Sequence, residues 1–124
     1  MPERVGDPVE SLNPERLVEL ARGDRTAVPD LVREFFAVLP GLMAAIRSGL
    51  ETRDPDATAS AAHGLKGCAA ALGLDRLAAL CQEMEHLARG GALDGGTDQL
   101  TVIQEHLAVL AAHARRTWGL DVTS

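Results

Sequence analysis

Along most of this chain the apolar residues recur at three- and four-residue intervals, the spacing of one face of an α-helix, and no segment alternates as a strand would. Leu12-Asn13-Pro14 opens the first helix. Asn13 can cap it, Pro14 suits the first helical position, and Leu12 with Leu17 has the spacing of a hydrophobic staple. This helix is expected over 14–22, ending at Gly23. Thr26 is the expected cap of the second, with Pro29 tolerated in its first turn. There Leu31, Val32, Phe35, Phe36, Leu39, Leu42, Met43, Ile46 and Leu50 form a long buried stripe. Pro40 falls inside the run and should bend the helix, because it removes a backbone donor and crowds the carbonyl four residues earlier.

Asp54-Pro55-Asp56 marks the next boundary, since the residue before a proline resists helical geometry while Asp caps and Pro starts the succeeding helix. The third helix is expected over 55–72 with Gly73 as its C-terminal cap, and the fourth over 75–89. Gly90-Gly91 and Gly95-Gly96 bracket an expected flexible loop. Thr97 or Asp98 then caps a fifth helix, whose stripe of Leu100, Ile103, Leu107, Leu110, Ala114 and Trp118 ends at Gly119. The expected fold is all-α, an antiparallel four-helix bundle with an additional short N-terminal helix. Residues 1–11 read as a flexible arm, 12–119 as one domain and 120–124 as a tail.

Composition narrows the class. The chain has 124 residues, 46% of them hydrophobic, enough for one domain with a sizeable core. A formal charge of −6 and the lack of a basic run argue against nucleic-acid binding. No stretch approaches the roughly 20 apolar residues of a membrane span, and Met1-Pro2-Glu3-Arg4 lacks the apolar segment of a signal peptide. Cys68 and Cys81 both sit in apolar helical stripes and read as reduced core thiols. Together these predict a soluble, cytoplasmic protein. It is expected to be a monomer, because no stripe is left over once the bundle is built.

The third helix carries the candidate chemistry. At about 100° per residue, Thr58, Ala61, Leu65, Cys68, Ala69 and Leu72 gather into one apolar stripe, and His63 falls opposite. Its helical neighbours are Ala59, Ser60, Lys66, Gly67 and Ala70. An ordinary solvated face would carry Glu, Lys and Gln. Gly64 and Gly67 each cost a helix roughly 1 kcal/mol relative to alanine, so something other than helix stability selects them. The surface reads as cleared so that another protein can reach His63.

The run Ala62-His63-Gly64-Leu65-Lys66-Gly67, followed by Leu72-Gly73, Leu77, Cys81 and Met84-Glu85, resembles the histidine-containing phosphotransfer (HPt) family of multistep two-component relays. Phe35-Phe36, Leu39-Pro40 and Leu42-Met43 are similar to that family's second helix, so the likeness covers roughly residues 12–118. Cys68 departs from the serine frequent there, and Gly64 occupies a variable position. The resemblance implies that His63 accepts a phosphoryl group on its outer nitrogen from an aspartyl phosphate of one receiver domain and donates it to another. It further implies that Lys66 offsets phosphoryl charge and that Gly67 leaves room for the receiver. Receiver domains and a hybrid sensor histidine kinase are the implied partners. Magnesium is expected on the partner, since no carboxylate cluster stands beside His63, and the chain is expected to hold no cofactor. Such a protein is a carrier without kinase or phosphatase machinery of its own.

Around His63, the expected partner-docking residues are Ala59, Ser60, Gly64, Gly67, Ala70, Glu85 and Arg89. Glu85 and Arg89 also have the i,i+4 order of a simple surface ion pair, against which stands a role for Arg89 in contacting the partner or tuning phosphohistidine. A rival metal reading rests on Glu83-Met84-Glu85-His86, which contains the Glu-x-x-His spacing of di-iron bundles. Glu83 and His86 face away from the Leu77, Leu80, Met84, Leu87 stripe, however, and His106 and His113 have no evident carboxylate partner. Two further readings are a non-transferring adaptor that binds a receiver or kinase, and the phosphoacceptor module of a chemotaxis-type kinase. Met1 and the absence of a linker favour a stand-alone protein over the latter.

Overall fold

In the computed structural model, which describes Glu10 and residues 12–122, the apolar stripes converge on one interior. The helices are α1 (Pro14–Leu20), α2 (Val28–Glu51), α3 (Pro55–Ala71), α4 (Asp75–Arg89) and α5 (Leu93–Trp118), with a 3₁₀ turn at Arg25–Ala27. Residues 52–54, 72–74 and 90–92 are the only connections between α2 and α5. Such short links leave successive helices antiparallel, and α2, α3, α4 and α5 each pack on two neighbours in a closed ring. Leu39, Ile46, Leu65, Leu77, Ile103 and Leu107 are fully buried at its centre. The expected antiparallel four-helix bundle with a short N-terminal helix is therefore what the chain forms.

Local signals explain most boundaries. The Asn13 side chain accepts from the Glu15 and Arg16 N–H groups, and that of Asp54 from Ala57, at the starts of α1 and α3. Gly73 ends α3 in the left-handed region, where the Leu74 N–H reaches back to Ala69 O at 2.9 Å. Asp24, not Thr26, caps the start of the second helical segment: its carboxylate accepts from both the N–H and the hydroxyl of Thr26, and a 3₁₀ turn leads into α2. Pro40 stands on the exposed side of α2, and the helix continues through it without a break.

The largest departure is at the start of α5. The expected loop is a helix from Leu93 onward, so Thr97 and Asp98 lie inside it and Gly95 and Gly96 form its first turns. Tertiary contact outweighs the glycine propensity cost. Leu93 is buried with Ala59 and Ala88, and a Cβ on Gly96 would come within 2.6 Å of Leu50 Cδ2 and 3.5 Å of Met84 Sδ. Glycine there lets α5 close onto α2 and α4.

Both chain ends are more engaged than the sequence suggests. Of the expected arm, residues 1–9 and 11 lie outside the described residues, but Glu10 is anchored. Its carboxylate accepts from the N–H groups of Arg76 (3.0 Å) and Leu77 (2.7 Å) and meets His106 Nε2 at 2.8 Å. Helix α4 has no side-chain cap of its own, so Glu10 satisfies two of its orphan donors from 66 residues away. Leu12 is fully buried, and its N–H donates to His113 Nδ1 at 3.0 Å. At the other end Leu120 and Val122 are buried, and Arg115 donates to Val122 O at 2.8 Å, so the packed domain reaches Val122. Cys81 is fully buried, and burial, then Cys68, push its thiol up to about 12 despite Lys66. Cys68 is only half-buried.

Two measurements check this anchoring. Truncating Glu10 to Ala leaves the part-buried Leu77 N–H and the buried His106 ring without their partner and should lower unfolding free energy by about 1–3 kcal/mol in urea titration, with Glu10→Gln intermediate. His113 must be unprotonated at Nδ1 to accept from Leu12, and burial, then Arg116, hold its pKa below the ordinary 6.5. The unfolded chain thus binds that proton more readily, so this contribution is complete above about pH 6.5 and is lost as the pH falls further. Wild-type Tm should decline from about pH 7.5 to about pH 5.5, and less steeply in His113→Gln.

Candidate functional site

On α3 the two flanks of His63 differ. Lys66 turns toward α4, whereas Gly64, Cys68 and Ala71 turn toward α2, as their helical angles require. The His63 side chain is 63% exposed, and among the described residues its Nε2 has no hydrogen-bond partner. Its Nδ1 lies 3.2 Å from Glu85 Oε1 across the α3–α4 interface. Gly67 faces open space, with no atom within 4 Å of where a Cβ would stand. Ser60 and Ala70 are likewise exposed, and Gly64 is half-buried against Leu42.

Glu85 organises the charges. The residue is only 9% exposed, yet its carboxylate meets three cationic or titratable side chains. Oε1 faces His63 Nδ1 and lies 3.5 Å from Lys66 Nζ, while Oε2 accepts from Arg89 Nε and Nη2, each at 3.0 Å. Burial alone would raise the Glu85 pKa; hydrogen bonds from Arg89 and His63 and the Lys66 charge outweigh it and hold the carboxyl below its usual 4.5. It therefore stays ionised throughout the range in which histidine titrates. Lys66 also donates its Nζ to Gln82 Oε1 on α4, and Gln82 Nε2 meets His86 Nε2 at 2.9 Å.

This arrangement selects one histidine tautomer. An ionised carboxylate only accepts, so Nδ1 carries the proton and Nε2 presents its lone pair outward. Electron demand at Nε2 during bond formation places positive charge on the ring, and Glu85 stands where that charge is best offset. When uncharged, the ring thus presents Nε2 as an oriented nucleophile to something approaching from outside.

Two expected docking residues are placed otherwise. Ala59 is fully buried, covered by Ala88 at the end of α4 and Leu93 at the start of α5, because its position on α3 lies on the α4 flank. Glu85 is turned inward beneath His63, leaving Arg89, 58% exposed, as the accessible member of that pair. The Glu85–His63 contact is what helix-by-helix reading misses. Gln82, Glu85 and Arg89 share one face of α4 at i, i+3 and i+7, and that polar face on a helix packed against α3 is the signal that could have found it.

Beyond the α2 flank lies an apolar depression of about 220 Å³. Leu31, Phe35 and Val38 of α2, Cys68 and Ala71 of α3 and Leu72 just after it line the depression, with Glu34 at the rim. Val38 is 44% exposed despite its apolar side chain. As for the rival metal reading, Glu83 accepts from Gln99 on α5, and His86 is engaged with Gln82. Among the described residues no group of three His, Cys, Asp or Glu side chains converges as metal ligands, and no helix is long and apolar enough to cross a membrane.

The His63 tautomer can be checked directly. Nitrogen-15 NMR in mildly alkaline solution should show the Nδ1–H form dominant in the wild type. In Glu85→Ala it should relax toward the Nε2–H form that free imidazole favours; an unchanged spectrum would remove the carboxylate from its orienting role.

Compared with known proteins, residues 30–113 match the family model described as Hpt domain. No curated protein and no solved structure matches the chain.

Proposed function

From the premise that the chain belongs to the Hpt domain family, whose members act in histidine phosphotransfer, we propose that His63 is the phosphoacceptor of a multistep relay between receiver-domain aspartates. The observation that carries this reading is the outward Nε2 of a histidine whose Nδ1 is held by Glu85. In the forward step Nε2 attacks the phosphorus of an aspartyl phosphate. The N–P bond forms as the acyl P–O bond breaks, and the aspartate leaves as a carboxylate. The ring keeps its Nδ1 proton, and Glu85 balances the resulting positive charge. The reverse sequence passes the group to a second receiver.

Phosphoryl transfer proceeds through a loose in-line transition state, so positioning and charge neutralisation supply most of the catalysis. Lys66 is the chain's own contribution, one turn from His63. Magnesium neutralises phosphate charge in such transfers; Glu85 is committed to three neighbours, which supports placing the ion on the receiver. The protein is then a cytoplasmic phosphoprotein and carrier, monomeric, fed by a hybrid sensor histidine kinase. The open surface of Ser60, Gly64, Gly67 and Ala70, continued by the depression around Val38, suits a receiver's apolar contact elements, with Arg89 at the opposite rim.

Incubation with a phosphorylated receiver and magnesium should place acid-labile label on the protein. The label should be absent from His63→Gln; its persistence there would put the acceptor elsewhere, and its absence from the wild type would leave a non-transferring adaptor. Lys66→Ala should remain folded and transfer roughly tenfold or more slowly, the scale of one lost hydrogen bond to a charged group. An unchanged rate would end its proposed role.

A further inference from the structure

Gln82 and His86 have no part in the transfer chemistry of His63, yet they form a hydrogen-bonded chain that ends on Lys66. The donors and acceptors in that chain admit a single assignment. An ammonium group can only donate, so the Gln82 atom facing Lys66 Nζ is the carbonyl Oε1. The amide nitrogen then faces His86 Nε2 at 2.9 Å, and because it too can only donate, that ring nitrogen must be unprotonated. His86 is thus neutral, with its proton on Nδ1, whenever the chain is intact. The ammonium so held lies 3.5 Å from Glu85 Oε1, the oxygen that faces His63 Nδ1. Phosphoryl oxygens would arrive at the other ring nitrogen.

We propose that Gln82 is a latch that parks Lys66 on the Nδ1 side of His63 in the unphosphorylated protein, with neutral His86 fixing the amide in the latching orientation. The proposal rests on the phosphotransfer reading of His63. Gln82 and His86 are positioning residues that act only through Lys66. When His86 takes up a proton, its Nε2–H points at a second donor. The amide satisfies it by turning its oxygen to the ring, which withdraws that oxygen from Lys66 and leaves the ammonium with Glu85 as its one remaining tether, more easily drawn to a phosphoryl group.

The charged groups around this chain are few. From α3 comes Lys66, reaching His86 only through Gln82. On α4 itself stand Glu83, engaged with Gln99 of α5, and Glu85 and Arg89, engaged with each other. Among the described residues no ionised group is hydrogen-bonded to the His86 ring, whose partner is the neutral Gln82 amide. Its charge state is therefore read by the Gln82 amide.

Transfer from a phosphorylated receiver should be measured for wild type, Gln82→Ala, Lys66→Ala and the double variant, from about pH 8 to about pH 5.5, where histidine titrates. At the upper end Gln82→Ala should be about fivefold faster than wild type, the scale of one net hydrogen bond. The ratio should approach one at the lower end. The double variant should match Lys66→Ala alone. A ratio of one at every pH, a ratio independent of pH, or a Gln82→Ala effect that survives without Lys66 would each overturn the latch while leaving His63 as the acceptor. Nitrogen-15 NMR of the unphosphorylated protein tests the latch even if no transfer occurs. His86 should be unprotonated at Nε2 in the wild type at about pH 8 and lose that bias in Lys66→Ala; a proton on Nε2 in the wild type would refute it.

Discussion

The contact on which the site depends is a buried carboxylate lying beneath an exposed imidazole. Glu85 is removed from water by α3 packing on α4, and that removal is tolerable only because Arg89, His63 and Lys66 compensate it. The same compensation holds the His63 ring by its inner nitrogen and leaves the outer one free. A histidine on a bare surface helix would spread over both tautomers and several rotamers. Here one carboxylate, fixed from behind by a guanidinium, removes most of that freedom before any partner arrives. Preorganisation of this kind moves an orienting cost from the reaction into folding.

The rest of the fold keeps α4 at that register. The first turn of α4 is tied down by Glu10, which also meets His106 on α5. Its last turn is covered by the start of α5, where Leu93 seats against Ala88 and Ala59. Between those ends Leu77, Leu80, Cys81 and Met84 fill the interior, so the flank beside them, with Gln82, Glu85 and Arg89, is presented to the polar flank of α3. The apolar face thus fixes where the polar one points. On the α2 side the small residues of α3 leave a shallow apolar step instead of charge, so the two rims of the His63 surface offer a partner different chemistry.

Much of this is legible in the amino-acid sequence because it is local. Asn13, Asp54 and Gly73 act on backbone groups within a few residues, and the stripe periodicity follows from helix geometry alone. Legibility fails where the deciding contact is distant in the chain. Gly95 and Gly96 carry loop signals, but Leu50 and Met84 reward the close approach of Gly96, and Gly95 packs on Leu87. Ala59 sits on the His63 side of an isolated helix and is covered only once α5 is in place. Glu85 pairs correctly with Arg89 at i,i+4, yet its principal role crosses 22 residues to His63. Spacing on one helix marks the histidine, its lysine and the open glycine; it does not mark the carboxylate that orients them.

Which ring nitrogen is held and which is free decides how His63 can act, so the bond position in the phosphorylated protein is the most direct test. Phosphorus–nitrogen coupling in nitrogen-15-labelled protein, after incubation with a phosphorylated receiver domain, distinguishes the two nitrogens of the imidazole. Phosphorus bonded to Nε2 of His63, with the proton retained on Nδ1, is the predicted result. Phosphorus on Nδ1, or on any other side chain, would contradict it.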